Sequence, residues 1–283
     1  MINVSRSLGY HYKGSGMKCL HSGLGLRSWI MAVTLPFLFT GCGSSKDPSS
    51  VSGPMAGNWQ MSLLPSTNIH ARSQSGFLQQ NGNTISGSLL LVDSPCSGVG
   101  SATGTAAGNN VSLVVAPVGV QITLTGTSTS NPSSMSGNYT LISTGCQQEQ
   151  TSPQTGTWTA SLVAPMNGTI STGSFASTRL NTSYTLGGTV TQGPNTGLSN
   201  TSVSGSLSFS TSTPYCFSGL TVSGVISGTS VTLNLLDSTN TQQGEINGTL
   251  TLDGTSFTGS YKIMPQNNQP CVAGDEGTVT FTL

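Results

Sequence analysis

Ser227-Gly228-Thr229-Ser230, followed by Val231-Thr232-Leu233-Asn234-Leu235, decides the fold class. Glycine and small polar residues supply the positive φ of a tight turn. The run after it alternates apolar and polar side chains with the period of a strand. The same pairing occurs upstream, where Ala107-Gly108-Asn109-Asn110 leads into Val111-Ser112-Leu113-Val114-Val115. Gln80-Asn81-Gly82-Asn83 and Leu252-Asp253-Gly254-Thr255 add further turns. Turns spaced about ten residues apart read as an antiparallel meander. No stretch beyond residue 41 keeps helical periodicity over three turns.

The chain also repeats itself. Ser86-Gly87-Ser88-Leu89, Pro95-Cys96, Val111-Ser112-Leu113, Ser136-Gly137-Asn138-Tyr139, Cys146 and Gly156-Thr157-Trp158-Thr159 follow one another in that order. Ser204-Gly205-Ser206-Leu207, Pro214 with Cys216, Val231-Thr232-Leu233, Thr258-Gly259-Ser260-Tyr261, Cys271 and Gly277-Thr278-Val279-Thr280 follow in the same order. This is a duplication, and copies of this length point to two domains rather than a solenoid, whose units run about 20–50 residues. The expected fold is all-β: two tandem antiparallel β-meander barrels or flattened sandwiches of about eight strands each. The first spans 55–164 and the second 165–283, and each is expected to fold by itself.

Charged residues make up 6% of the chain, against about 25% in ordinary domains. Beyond residue 41 the bases are Lys46, Arg72, Arg179 and Lys262, set against eight acids, for a formal charge near −4. Four scattered cations cannot build a phosphate-binding face, which excludes nucleic acid. Regularly placed Val, Ile, Leu and Thr distinguish the chain from a disordered polar tract.

Near the N-terminus, Trp29 to Phe39 form an apolar run of 11 residues, preceded by Lys18 and Arg27. It is too short to span a membrane as a helix and fits a signal-peptide core. Leu38-Phe39-Thr40-Gly41-Cys42, followed by Gly43-Ser44-Ser45-Lys46, resembles a bacterial lipobox. The resemblance implies a signal peptide over 1–41, with Met17 as a second candidate start, and a lipid on Cys42. Residues 42–54 then form a Ser/Gly/Pro tether. An ordinary cleaved leader that happens to precede a cysteine is the alternative. Several acyl chains anchor durably where one does not. The implied location is the cell envelope, with the outer membrane favoured because Gly43 follows the cysteine.

Setting aside Cys19 in the leader and Cys42 at the anchor leaves four cysteines, Cys96, Cys146, Cys216 and Cys271, which allow three pairings. The repeat selects Cys96–Cys146 and Cys216–Cys271, one bridge per copy. The first cysteine of each pair falls after about the third strand and the second after about the seventh, so both loops lie at one end of a meander. A metal site is disfavoured, because no Cys-x-x-Cys or nearby His accompanies them. Gly57-Asn58-Trp59 is similar to the Gly-x-Trp on the first strand of lipocalin-like barrels. Trp59 and Trp158 themselves read as core plugs.

Catalytic material is sparse. His70 is the one histidine beyond the leader and reads as an exposed loop residue; no nucleophile elbow, phosphate loop or zinc pair occurs. Among Asp47, Asp93, Glu149, Asp237, Glu245, Asp253, Asp275 and Glu276, Asp253 reads as a turn residue and Asp275-Glu276 as a solvated loop. No cofactor, catalytic residue or metal ligand is expected. The expected function is a non-catalytic envelope lipoprotein, a binding or structural module held to the membrane through Cys42. Its partner would be an envelope protein, a polysaccharide or a small apolar ligand. A carrier of an apolar ligand in a barrel is the second reading, and an enzyme with a carboxylate pair the third.

Overall fold

Alternating strands joined by tight turns bury one face each, and here both copies close that face inward. The computed structural model describes residues 53–67, 71–94, 96–130, 133–145, 153–210, 219–265, 267 and 273–283. The first barrel comprises β1 (Gly57–Pro65), β2 (Arg72–Asn81), β3 (Thr84–Val92), β4 (Gly98–Ala107), β5 (Asn110–Ala116), β6 (Val120–Ser130), β7 (Ser133–Ser143) and β8 (Gln154–Val163). Each strand pairs antiparallel with the next, and β8 returns to β1. After β9 (Gly168–Thr169), a two-residue strand beside the next ring, come β10 (Thr172–Ser177), β11 (Thr182–Gln192), β12 (Thr201–Ser210) and β13 (Gly219–Ser227). The chain ends with β14 (Ser230–Leu236), β15 (Gln242–Leu250), β16 (Ser256–Ile263) and β17 (Asp275–Thr282). Pairing of β10 with both β11 and β17 closes the second eight-stranded ring. Of the two expected forms, the barrel is the one found.

An eight-stranded barrel is just wide enough for its own side chains to fill. In the first, Trp59, Met61, Leu63, Leu89, Leu113 and Trp158 are among those pointing inward and buried. In the second, the corresponding places exchange bulk across the strand pair. Leu63 faces Trp158 in β1–β8, whereas Phe175 faces Val279 in β10–β17. Met61 faces Ala160, whereas Gly173 faces Phe281. In both cases the bulkier partner moves to the other strand of the pair, and Gly173–Phe281 fills about the volume of Met61–Ala160. That exchange places Phe175 across from the position that Trp158 holds in the first copy.

The Ser-Gly-x motif that betrayed the duplication has a steric cause. Gly126 faces Gly137 across β6–β7, and Gly248 faces Gly259 across β15–β16. A Cβ on Gly137 would lie 2.0 Å from the Thr125 oxygen, and one on Gly259 would lie 2.3 Å from the Asn247 oxygen. Only glycine permits the backbones to coil this tightly, and such kinks let a small sheet close.

Each barrel is stoppered at one end by the segment that enters it. Pro54-Met55-Ala56-Gly57 precedes the first and Pro165-Met166-Asn167-Gly168 the second. The Met55 amide donates to Gln80 Oε1 at 2.9 Å, and the Met166 amide donates to Gln192 Oε1 at 3.1 Å. Gln80 and Gln192 hold the same place near the end of the second strand of each ring. Both methionines are buried. Trp59 completes the first stopper, its Nε1 donating to the Met55 carbonyl at 3.0 Å.

The stoppered end of the second barrel rests on the wall of the first, and Lys46–Leu283 form one compact unit. Phe77, facing outward from β2, is 1% exposed because it enters the second barrel's core beside Val163 and Met166. Polar contacts ring this knob. The Asn58 side chain donates to the Gly228 carbonyl and accepts from the Gly228 amide, both at 2.7 Å. Asn195 Nδ2 donates to the Leu78 carbonyl at 2.7 Å, and the Phe77 amide donates to the Leu198 carbonyl at 3.2 Å. On the second barrel's own wall the residue equivalent to Phe77 is Thr189, one past Gly188 as Phe77 is one past Gly76; it is exposed.

Candidate functional site

In a chain this poor in charge, where charges gather is informative. Five of the nine charged residues described, Arg179, Glu245, Lys262, Asp275 and Glu276, lie together on β15–β17 and the β10–β11 turn. Register explains it: Glu245 pairs with Lys262, and Lys262 with Glu276, so an acid–base–acid ladder crosses the outer wall. One pair of positions along, Asn247, Ser260 and Thr278 form a second, uncharged row. Asn247 accepts from Thr232 Oγ1 at 2.7 Å and its amide donates to Glu245.

These rows line a groove of about 760 Å³ on the outer wall, floored by Tyr261 and Gly277. A second hollow of about 520 Å³ shares Thr178, Lys262 and Glu276 with it and extends to Arg179 and Asp275. Beneath, Asp275 accepts from Ser177 Oγ at 2.6 Å and from the Tyr261 hydroxyl at 2.9 Å, with Arg179 Nε 4.0 Å away. Burial, reinforced by the Asp275 charge and opposed by Arg179, raises the pKa of the nearby Tyr184 phenol. Asp275 therefore pins the groove floor from inside.

This corrects the solvated-loop reading of Asp275-Glu276. Asp275 opens β17 and is 3% exposed, because strand alternation turns it inward while Glu276 faces out. Its counterpart in the first copy is Gln154, the buried first residue of β8.

The first barrel carries an uncharged groove over the same floor, extended toward β1 rather than β6. Tyr139 pairs with Gly156 as Tyr261 pairs with Gly277, and Thr140 with Thr155 as Lys262 with Glu276. The hollow there is about 480 Å³ and is lined by Leu64, Ser66, Asn138, Thr140, Thr155 and Thr157 around that floor. Both grooves lie over a glycine, Gly156 or Gly277, paired with a tyrosine.

Two other acids are turn residues. Asp253 Oδ1 accepts from Thr251 Oγ1 at 2.5 Å and from the Thr255 amide at 3.1 Å, as the Asp-Gly turn implies. Asp237 accepts from Thr239 Oγ1 at 2.6 Å and from the Thr239 and Thr241 amides at 2.8 and 3.0 Å. These bonds, led by the threonine hydroxyls Thr251 and Thr239, hold both carboxyls below their ordinary pKa. A carboxylate depressed in the folded state stabilises above its unfolded pKa of about 3.9, and the contribution fades as pH falls through the folded value. The stability gap between wild type and Asp237→Asn/Asp253→Asn is expected to be widest at pH 7 and to close below about pH 4. Thermal melts at pH 7 and pH 2 check this; a gap unchanged by acid would refute it.

Cys96 is disulfide-bonded and sits in the loop between β3 and β4. Cys42, Cys146, Cys216, Cys271 and His70 lie outside the described residues. Trp59 and Trp158 are 0% and 1% exposed inside the first barrel. Among the described residues, no group of three or more His, Cys, Asp or Glu side chains is placed to hold a metal. The ladder was missed at the sequence level because its members are 17 and 14 residues apart. The facing glycines Gly248 and Gly259 would have set the register that joins the first two. No protein-family model matches this chain, and no curated protein is significantly similar to it.

Proposed function

We propose that this chain is a lipid-anchored, non-catalytic module of the bacterial cell envelope that binds its partner on the outer walls of two filled barrels. The observation carrying this is the pairing of packed interiors with equivalent surface grooves. Interiors taken up by Trp59, Trp158, Phe175 and Phe281 argue against an internal apolar cargo. Duplication has kept a hollow on the outside of both copies.

The lipobox-like exit at Cys42 supports membrane attachment, and an oxidising envelope suits the bonded Cys96. The repeat supports Cys96–Cys146 and Cys216–Cys271 as the bridges. Loops after the third and seventh strands of each ring carry these cysteines, and in a meander those loops share one end. Glu245 and Glu276 are a carboxylate pair, but Lys262 stands between them on an open wall. A glycosidase instead sets its two carboxyls on either side of a cleft that holds the bond between them. Non-reducing mass spectrometry of protein from a bacterial membrane fraction tests the anchor and bridges together. It is expected to find a chain beginning at acylated Cys42, with linked peptides for both pairs. A Cys42→Ala chain that stays acylated, or a bridge between the two copies, would overturn the reading.

A further inference from the structure

We infer that the two wall grooves bind one kind of ligand, a hydroxyl-rich glycan chain, with the groove on β15–β17 as the stronger subsite. This rests on the outer-wall reading above and specifies its ligand. Duplication has placed a groove at the same register in both barrels, over Tyr139 and Gly156 in one and Tyr261 and Gly277 in the other. Two equivalent subsites on one rigidly joined chain suit a ligand that repeats along its length.

The lining selects the chemistry. Glu245, Asn247, Glu276 and Lys262 offer carboxylate, amide and ammonium groups beside the hydroxyls of Ser260 and Thr278. Such mixed donors and acceptors match vicinal hydroxyls and acetamido groups. The floor beneath is fixed by the Tyr261 hydroxyl, which donates to Asp275. The wall disfavours the other extended polymers. Both rings close, so a peptide finds no ring edge onto which to add as a strand. The second-barrel site holds Glu245, Glu276 and Asp275 against Lys262 and Arg179, a net negative charge that repels polyanions. The first-barrel groove, all hydroxyl and amide apart from Leu64 and Pro65, is left with neutral sugars as its fitting ligand.

The test titrates the full chain in detergent with hexamers of N-acetylglucosamine, β-1,4-glucose and α-1,4-glucose, and with their soluble polymers, by calorimetry. At least one hexamer is expected to bind, and Asn247→Ala or Glu276→Gln is expected to weaken it about tenfold, the loss of one or two bonds to a charged or amide group. These residues are on the outer wall, so unchanged thermal melts verify folding. The matching polymer is expected to bind at least about tenfold more tightly than its hexamer. Asn138→Arg, which obstructs the first-barrel groove, should remove that gain and leave hexamer binding in place. No binding of any hexamer at millimolar concentration would overturn the proposal. Binding indifferent to Asn247→Ala and Glu276→Gln would overturn the groove assignment while leaving an outer-wall binding module standing. Preferential binding of a peptide pool would overturn the ligand class.

Discussion

Phe77→Ala is expected to destabilise the barrel that Phe77 does not belong to. The ring leaves the wall of the first barrel and is buried among Val163, Met166 and the inward residues of the second. Truncating a buried phenylalanine costs about 3–5 kcal/mol, the lost transfer energy plus the cavity. In a chain of this size that corresponds to a fall in melting midpoint on the order of 10 °C. The two barrels can be followed separately. Trp59 and Trp158 report the first by fluorescence, while amide exchange in β11 to β14 reports the second. Loss of protection in the second, with a smaller shift in the tryptophan transition, is the expected pattern. Destabilisation confined to the first barrel would contradict the knob. For the same reason, residues 165–283 expressed alone should melt below the same residues in the intact chain.

The second large effect is expected at the facing glycines. Gly137→Ala puts a methyl 2.0 Å from the Thr125 oxygen, so the β6–β7 ladder must shift where Gly126 and Gly137 face each other. Overpacking typically costs about 1–3 kcal/mol and occasionally more, and a fixed backbone oxygen places this case at the upper end. Gly108→Ala is the control. Nothing lies within 4 Å of its Cβ position, and its φ of 58° leaves only the left-handed strain, on the order of 1–2 kcal/mol. Denaturant midpoints of the two variants should differ in that order. Equal losses would mean that closure of the barrel does not depend on the close approach.

Much of this architecture was legible in the sequence because alternation and turn chemistry are local. Val231-Thr232-Leu233-Asn234-Leu235 announces its strand with no help from its neighbours, and Leu252-Asp253-Gly254-Thr255 its turn. The count of eight strands in each ring was legible because the turns recur about every ten residues. Phe77 was not, because its burial depends on a second barrel. The one local hint is Phe77-Leu78, where two adjacent apolar residues break the alternation of β2 and one must face outward. Asp275 was misread for a related reason. Only closure of the second ring and its register bring Ser177 and Tyr261, 98 and 14 residues away, onto its carboxylate. The Glu245–Lys262–Glu276 ladder likewise exists only once three strands are aligned.

The exposed Thr189 on the second barrel, where the first presents Phe77, governs what copies of this chain can do to one another. Head-to-wall stacking is a heterologous contact, and a heterologous contact repeated without closure grows a filament. Growth would need each new wall to offer a knob to the next open head. Within one chain the knob of the first wall is already spent on its own neighbour. The second wall has none to offer. The series therefore terminates at two members by construction. Through this contact the repeat joins one pair of barrels and offers no third seat.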